Sequence, residues 1–156
     1  MAFERPNFRT GDIILYPYRW SWEKEEDPNS LGKYRPSLVL FAGQPGTEKD
    51  GELLICGITS AHVYAPNNFL HIPDSEAQRA NLFAKNSKVV VSDVNIDHLD
   101  NEGTMRGRVL PGGFGPAFFK QIRSGITENF KNQTCNIVTR EMVIDRKICK
   151  DSEPDF

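Results

Sequence analysis

Residues 32–60 limit the folds open to this chain more than any other stretch. Gly32-Lys33-Tyr34-Arg35-Pro36-Ser37-Leu38-Val39-Leu40-Phe41 and Glu52-Leu53-Leu54-Ile55-Cys56-Gly57-Ile58-Thr59-Ser60 are both rich in side chains that fit a pleated, buried surface. The connection from Ala42 to Gly51 carries Gly43, Pro45, Gly46 and Gly51, so it reads as a loop. Two such runs joined by a loop predict an antiparallel hairpin. Arg35 enters the first run just before its apolar part, and Thr59 leaves the second just after its own. Antiparallel pairing then puts the two at the same end of the hairpin.

The chain has 156 residues, which suits one domain, residues 1–156, with a single core. Hydrophobic residues make up 38% and charged residues 26%, the balance of a globular chain rather than a disordered one. No apolar run approaches the roughly 20 residues a membrane helix needs. Residues 1–10 are polar and carry no apolar core of a secretory signal. Cys56, Cys135 and Cys149 are too scattered for a disulfide framework or a zinc site. A reducing, cytoplasmic location without membrane contact is the expectation. The formal charge of −2 means that any surface attracting phosphate must be local.

In chain order, Gly11 to Tyr18 reads as a first strand that ends at Pro17 or lies at an edge. Arg19 to Gly32 reads as a long mobile loop, acidic between Glu23 and Asp27. Such a loop is either functional or a solvated excursion. Tyr16, Tyr18, Trp20 and Trp22 can stack unpaired bases or fill the core. The split expected is Tyr16 and Tyr18 on one face, with Trp20 and Trp22 in the mobile region. Residues 61–68 should turn, and 68–72 can form a short strand stopped by Pro73. Asp74 to Ala84 fits one or two helical turns capped by Asp74 or Ser75, or a loop with strand character. Ser87 to Leu99 predicts a strand around Lys88 to Val94, and Met105 to Leu110 a shorter one. Pro116 opens an amphipathic helix whose apolar face is Phe118, Phe119, Ile122, Ile126 and Phe130. Gly125 weakens its middle by about 1 kcal/mol relative to Ala. Cys135 to Ile148 mixes strand and helix signals and stays open. Lys150 to Phe156 reads as a disordered tail. Strands followed by a helix predict a mainly β, α+β fold, an antiparallel sheet or small barrel with helices on one side.

Gly11-Asp12-Ile13, a long loop, Arg35-Pro36 with its apolar strand, and Ile58-Thr59-Ser60 closing the next strand resemble the MazF/PemK (Kid) toxins of bacterial toxin–antitoxin pairs. Asp93 to Leu110, with Arg106 and Arg108, resembles that family's pair of strands carrying a polar turn and an Arg-x-Arg. Phe114 to Ile126 resembles its terminal helix. The resemblance spans roughly residues 10–130. It implies an SH3-like barrel that forms a homodimer, binds an antitoxin protein and cleaves single-stranded RNA without metal or cofactor. In that reaction the ribose 2′-hydroxyl attacks the adjacent phosphate, leaving a 2′,3′-cyclic phosphate and a 5′-hydroxyl. The family's catalytic arginine and threonine match Arg35 and Thr59. Ser60, Lys33, Arg19, Trp20 and Trp22 are the candidate substrate-binding residues.

The residue chemistry fits that assignment. A phosphorane carries more negative charge on its non-bridging oxygens than the diester does. A guanidinium presents parallel donors to those oxygens and stays charged. A threonine hydroxyl adds one donor, and donors aimed at developing charge contribute about 3–4 kcal/mol each. Without the resemblance, an Arg before a strand reads as a solvated or ion-paired residue, and Thr-Ser at a strand end as turn chemistry. The chain departs from the family in its acidic first loop, which opposes phosphate, and in having no histidine before His62. The alternative is a non-catalytic barrel serving as a protein- or nucleic-acid-binding module. Asp93-Val94-Asn95-Ile96-Asp97 imitates a calcium loop but has His98 where Gly is needed and Thr104 where Glu is needed. His62, His71 and His98 lack metal-type spacing and read as surface or satisfied residues.

Overall fold

The computed structural model describes residues 3–23, 31–61 and 68–142. Most of the acidic run of the first loop, the turn expected after Ala61 and the expected C-terminal tail lie outside them. The elements in order are β1 (Ile13–Tyr18), β2 (Lys33–Ala42), β3 (Glu52–Thr59), β4 (Phe69–His71), α1 (Asp74–Arg79), β5 (Lys88–Val90), β6 (Asp93–His98), α2 (Pro116–Lys131) and β7 (Asn136–Thr139). The seven strands form one mainly antiparallel sheet, in which β6 and β7 pair parallel.

The hairpin of residues 32–60 forms as β2 and β3, in register from Ser37 opposite Gly57 to Ala42 opposite Leu53, with a bulge between Val39 and Phe41. β1 adds to the far edge of β2, pairing Tyr16 with Arg35. The free edge of β3 is divided. Glu52 to Ile55 pair with β6, whereas Ile58 and Thr59 pair with β5. The single strand expected around Lys88 to Val94 is therefore two, broken at Val91-Ser92, where the register against β3 shifts between the Ile58–Val89 and Ile55–Asn95 pairs. The strand expected at Met105 to Leu110 shrinks to one bridge, Ile14 with Val109. Its flanks still occupy the edge of β1, since Leu15 N–H donates to Arg108 O at 2.8 Å and Leu110 N–H to Ile13 O at 2.7 Å. Pro17 lies inside β1, and its carbonyl accepts from Arg140 Nη1 at 2.7 Å.

Both faces of the sheet are covered. On one, α2 packs Phe118, Ile122 and Ile126 onto Leu38, Cys56, Ile58, Val89 and Val91. Each such side chain contributes about 1.5–3 kcal/mol on burial. The helix face closes on Asn129 rather than the expected Phe130, which is exposed. That is the 3.6-residue period continued from Phe118, Ile122 and Ile126. Gly125 rests against Val91, where a Cβ would sit 3.4 Å away. Its cost to the helix thus comes with close approach to β5. No side chain caps α1. The N-cap of α2, Gly115, donates its N–H instead to Glu76 Oε1 of α1 at 2.9 Å, which sets a carboxylate at the positive end of the helix dipole.

The other face buries Ile14, Tyr16, Tyr18, Trp20, Val39, Leu53, Ile55 and Val90. Here the sheet folds over on itself. β1 and β6 are separated in the sheet by β2 and β3, yet Tyr16 Oη donates to Asp97 at 2.5 Å and Tyr18 Oη to Asp93 at 2.8 Å. The segment that imitated a calcium loop is interior: Asp93, Asn95 and Asp97 are all buried. The segment from Cys135, whose type the sequence leaves open, supplies β7 and then Arg140, whose guanidinium is buried in the same set. Among the described residues no helix is long and apolar enough to cross a membrane.

Candidate functional site

Arg35 and Thr59 are placed by strand register. Counting on from Ser37 opposite Gly57, Arg35 stands opposite Thr59, two residues past the last ladder pair. Side chains at alternate strand positions share a face, so Arg35, Ser37, Gly57 and Thr59 all point to the face that carries Tyr16 and Trp20. Ser60 is exposed and, by the same alternation, heads to the opposite side.

The guanidinium is held by aromatic packing. Arg35 Cζ lies 5.4 Å from the centroid of the Trp20 ring. Trp20 fills the space above Gly57, where a Cβ would come within 2.5 Å of the ring. Trp20 is 3% exposed and so belongs to the core, not to a mobile region. Trp22 is 43% exposed and stacks on it, centroids 4.9 Å apart and planes within 5°. Tyr18 packs against the ring at 4.6 Å. The result is a ladder of three aromatics whose outermost ring faces solvent.

What fixes that ladder is the buried polar set. Asn95 accepts from Arg19 N–H at 3.0 Å and donates to Arg19 O at 2.7 Å. Asp93 accepts from Tyr18 Oη at 2.8 Å and from Ser21 N–H at 3.1 Å. Arg140 reaches Pro17 O at 2.7 Å, Leu31 O at 2.6 Å and Asn95 Oδ1 at 3.2 Å. These bonds hold Tyr16, Pro17, Tyr18, Arg19 and Ser21 on either side of Trp20 and join both ends of the first loop. Burial holds the Asp93 carboxyl above the usual carboxylate range, partly offset by Ser21 and Tyr18. Burial likewise pushes the Tyr16 and Tyr18 phenols well up, with Asp97 and Asp93 adding to it. Both hydroxyls therefore stay donors at any useful pH.

Arg35 is half-buried, and its Nη2 lies 3.7 Å from Glu23 Oε1, inside ion-pair range but beyond a hydrogen bond. Its buried Nε has no hydrogen-bond partner. An orphaned buried donor costs about 1–3 kcal/mol. Thr59 Oγ1 accepts from Ala61 N–H at 3.0 Å. A hydroxyl has one donor besides its acceptor lone pairs, so the Thr59 proton stays free to point elsewhere.

Of the other expected contacts, Lys33 is exposed at the start of β2, opposite Tyr18. Arg19 is buried, 8% exposed, so its side chain is not part of the surface beside Arg35. Arg106 and Arg108 are exposed, and lie outside any strand. The row beyond Thr59 was missed from the sequence: Lys88 pairs with Thr59, and His71 with Lys88. In the sequence Lys88 is only the first residue of an apolar strand, and His71 a surface or satisfied residue. An open depression of about 770 Å³ runs along the outer face of α2 past Phe119, Arg123 and Lys131, and none of its lining residues belongs to the Arg35 face. Among the described residues no group of three or more His, Cys, Asp or Glu is arranged to hold a metal ion.

Compared with known proteins, the chain matches no protein-family model, and no curated protein matches its sequence.

Proposed function

We propose that this chain is a metal-independent endoribonuclease of the MazF/PemK kind, the toxin of a toxin–antitoxin pair, with Arg35 and Thr59 at the scissile phosphate. The observation that carries the reading is the shared face of these two residues, with the guanidinium stacked on Trp20 and its buried Nε lacking a partner. A phosphate seated beside this guanidinium takes the place that Glu23 holds 3.7 Å from Nη2. The 2′-oxygen forms a bond to phosphorus, and the bond to the 5′-oxygen breaks. The proton lost from the 2′-hydroxyl goes to water, and the 5′-oxygen takes one from water, so the balance closes without a redox partner. Arg35 and Thr59 donate to the non-bridging oxygens, where charge grows most. Trp22, stacked outward on Trp20, offers its free face to an unpaired base. The folded-over sheet is read here as the small SH3-like barrel of that family, working as a cytoplasmic homodimer that an antitoxin protein covers.

The test is the chemistry of the product ends. Purified protein incubated with single-stranded RNA in excess chelator should yield 2′,3′-cyclic phosphate and 5′-hydroxyl termini. Products with 5′-phosphate ends, or intact RNA, would refute the reading.

A second reading draws on Glu23. Its carboxylate already neutralises Arg35 in part, as expected of a non-catalytic module whose groove has turned from RNA to another ligand. A stoichiometric protein partner retained in place of RNA, with no cleavage product, would favour it.

A further inference from the structure

We infer that Lys88, beside His71 and above Phe69, holds the phosphate next to the scissile one, so that single-stranded RNA crosses the strands β2, β3, β5 and β4. This rests on the reading of Arg35 and Thr59 as the cleavage site.

The register carries the argument. Tyr16 pairs with Arg35, Arg35 stands opposite Thr59, Thr59 pairs with Lys88, and Lys88 pairs with His71. Direct partners project to the same face, so Arg35, Thr59, Lys88 and His71 form one polar row across four strands. Neighbouring strands lie about 5 Å apart, which places Lys88 one step beyond Thr59 and two beyond Arg35. That face is otherwise the apolar floor of Val39, Ile55 and Val90.

The ammonium is positioned for an anion. Lys88 Nζ donates to Asn86 O at 3.1 Å and to Ala61 O at 3.3 Å, which fixes the head group and leaves its third donor for an anion, and it lies 5.8 Å from the centroid of the Phe69 ring. His71 stands edge-on to the same ring at 5.1 Å. Phe69 therefore supports two nitrogen-bearing side chains at the rim of the sheet. Among the described residues no carboxylate forms an ion pair with Lys88, whereas Arg35 faces Glu23. In a chain of net charge −2 an unmatched cation beside the reacting phosphate is a local attraction for a polyanion. A lysine acts there as a flexible point charge that follows a phosphate without fixing its orientation. The row thus divides labour: Arg35 and Thr59 stabilise the reacting phosphate, and Lys88 holds its neighbour.

The experiment compares wild type, Lys88→Gln and Lys88→Arg on a short single-stranded RNA over a range of salt concentrations. Lys88→Gln should raise KM about tenfold, the worth of one hydrogen bond to a charged group, with kcat within about twofold. It should also flatten the dependence of log KM on log salt by about 0.7. Lys88→Arg should keep the wild-type slope. Lys88→Met, which retains the stem over Phe69, gives the same comparison if the Gln variant loses its fold. If wild type cleaves and Lys88→Gln leaves KM and slope unchanged, the inference is overturned and the cleavage site stands. If wild type binds RNA without cutting it and the salt slope of log Kd still falls in Lys88→Gln, the contact of Lys88 with an RNA phosphate holds, while the nuclease reading fails and with it the place beside a scissile phosphate. If wild type neither binds nor cuts RNA, or if an acidic peptide binds through Lys88 in its place, both are overturned.

Discussion

Glu23 Oε1 stands 3.7 Å from Arg35 Nη2, so the one carboxylate of the first loop that the structure describes faces the proposed phosphate-binding guanidinium. A substrate phosphate must displace it. Partly exposed ion pairs are worth about 0.2–1 kcal/mol. Glu23→Gln should therefore lower KM for RNA by up to about fivefold, most at low salt, while leaving kcat unchanged. Steady-state kinetics at two ionic strengths check this. A KM that rises would assign Glu23 to substrate binding instead.

Gly57 lacks a side chain because Trp20 occupies its place. The ring cannot retreat freely, being packed between Tyr18 and Trp22. Gly57→Ala should cost about 1–3 kcal/mol through overpacking. It should also shift the emission of the two tryptophans to longer wavelength as Trp20 is pushed toward water. Chemical denaturation followed by fluorescence reads both quantities, and an unchanged spectrum would contradict the placement.

Arg140 is 124 residues from Tyr16 in sequence, yet its Nη1 lies 3.3 Å from the Tyr16 hydroxyl and 2.7 Å from Pro17 O. Removing it takes a donor from the buried Pro17 O and from Leu31 O, and leaves Asn95 Oδ1 with Arg19 N–H alone. Arg140→Ala should destabilise the fold by about 1–3 kcal/mol for each buried acceptor left unsatisfied. Because the same bonds hold residues 16–21 under Arg35, activity should fall at temperatures where the variant is still folded. Denaturant midpoints and initial rates on the same preparation separate the two effects.

The buried Asp93 carboxyl predicts a pH effect of definite sign. Its folded pKa is raised by burial, so the folded state binds its proton more tightly than the unfolded chain does. Below the ordinary carboxylate pKa both states hold the proton and nothing is lost. As pH rises from that value through the folded pKa, stability falls. Asp93→Asn keeps an acceptor for Tyr18 without the charge. Its melting temperature relative to wild type should therefore improve as pH rises out of the carboxylate range. Parallel Tm curves across that window would contradict the assignment.

The elements that could be read from sequence were those specified locally. Residues 32–60 carry both strands and their loop, so β2, β3 and the common end of Arg35 and Thr59 follow from pattern alone. Pro116 and the spacing of Phe118, Ile122 and Ile126 likewise specify α2. The break at Val91-Ser92 could not be read, because Lys88-Val89-Val90-Val91 and Asp93-Val94 form one apolar run, and only the register shift along the free edge of β3 divides it. The sequence rules out a calcium loop at Asp93, Asn95 and Asp97 through His98 and Thr104, but nothing near them in sequence announces their partners Tyr16, Tyr18 and Arg140. Sequence alone places Trp20 in the mobile region, because it follows Pro17 and precedes the acidic run, whereas its anchor, the gap over Gly57, lies on another strand. The row from Thr59 to Lys88 and His71 depends on pairing among three segments, and residue types alone do not define it.

The most direct test of the account is single-turnover cleavage of a short single-stranded RNA in excess chelator by wild type and by Arg35→Ala of equal thermal stability. Losing the guanidinium should slow cleavage by about 10²–10³-fold, the effect of removing one donor from developing oxyanion charge. Equal rates for the two proteins would contradict the assignment of the phosphate to Arg35, and with it the proposed cleavage site.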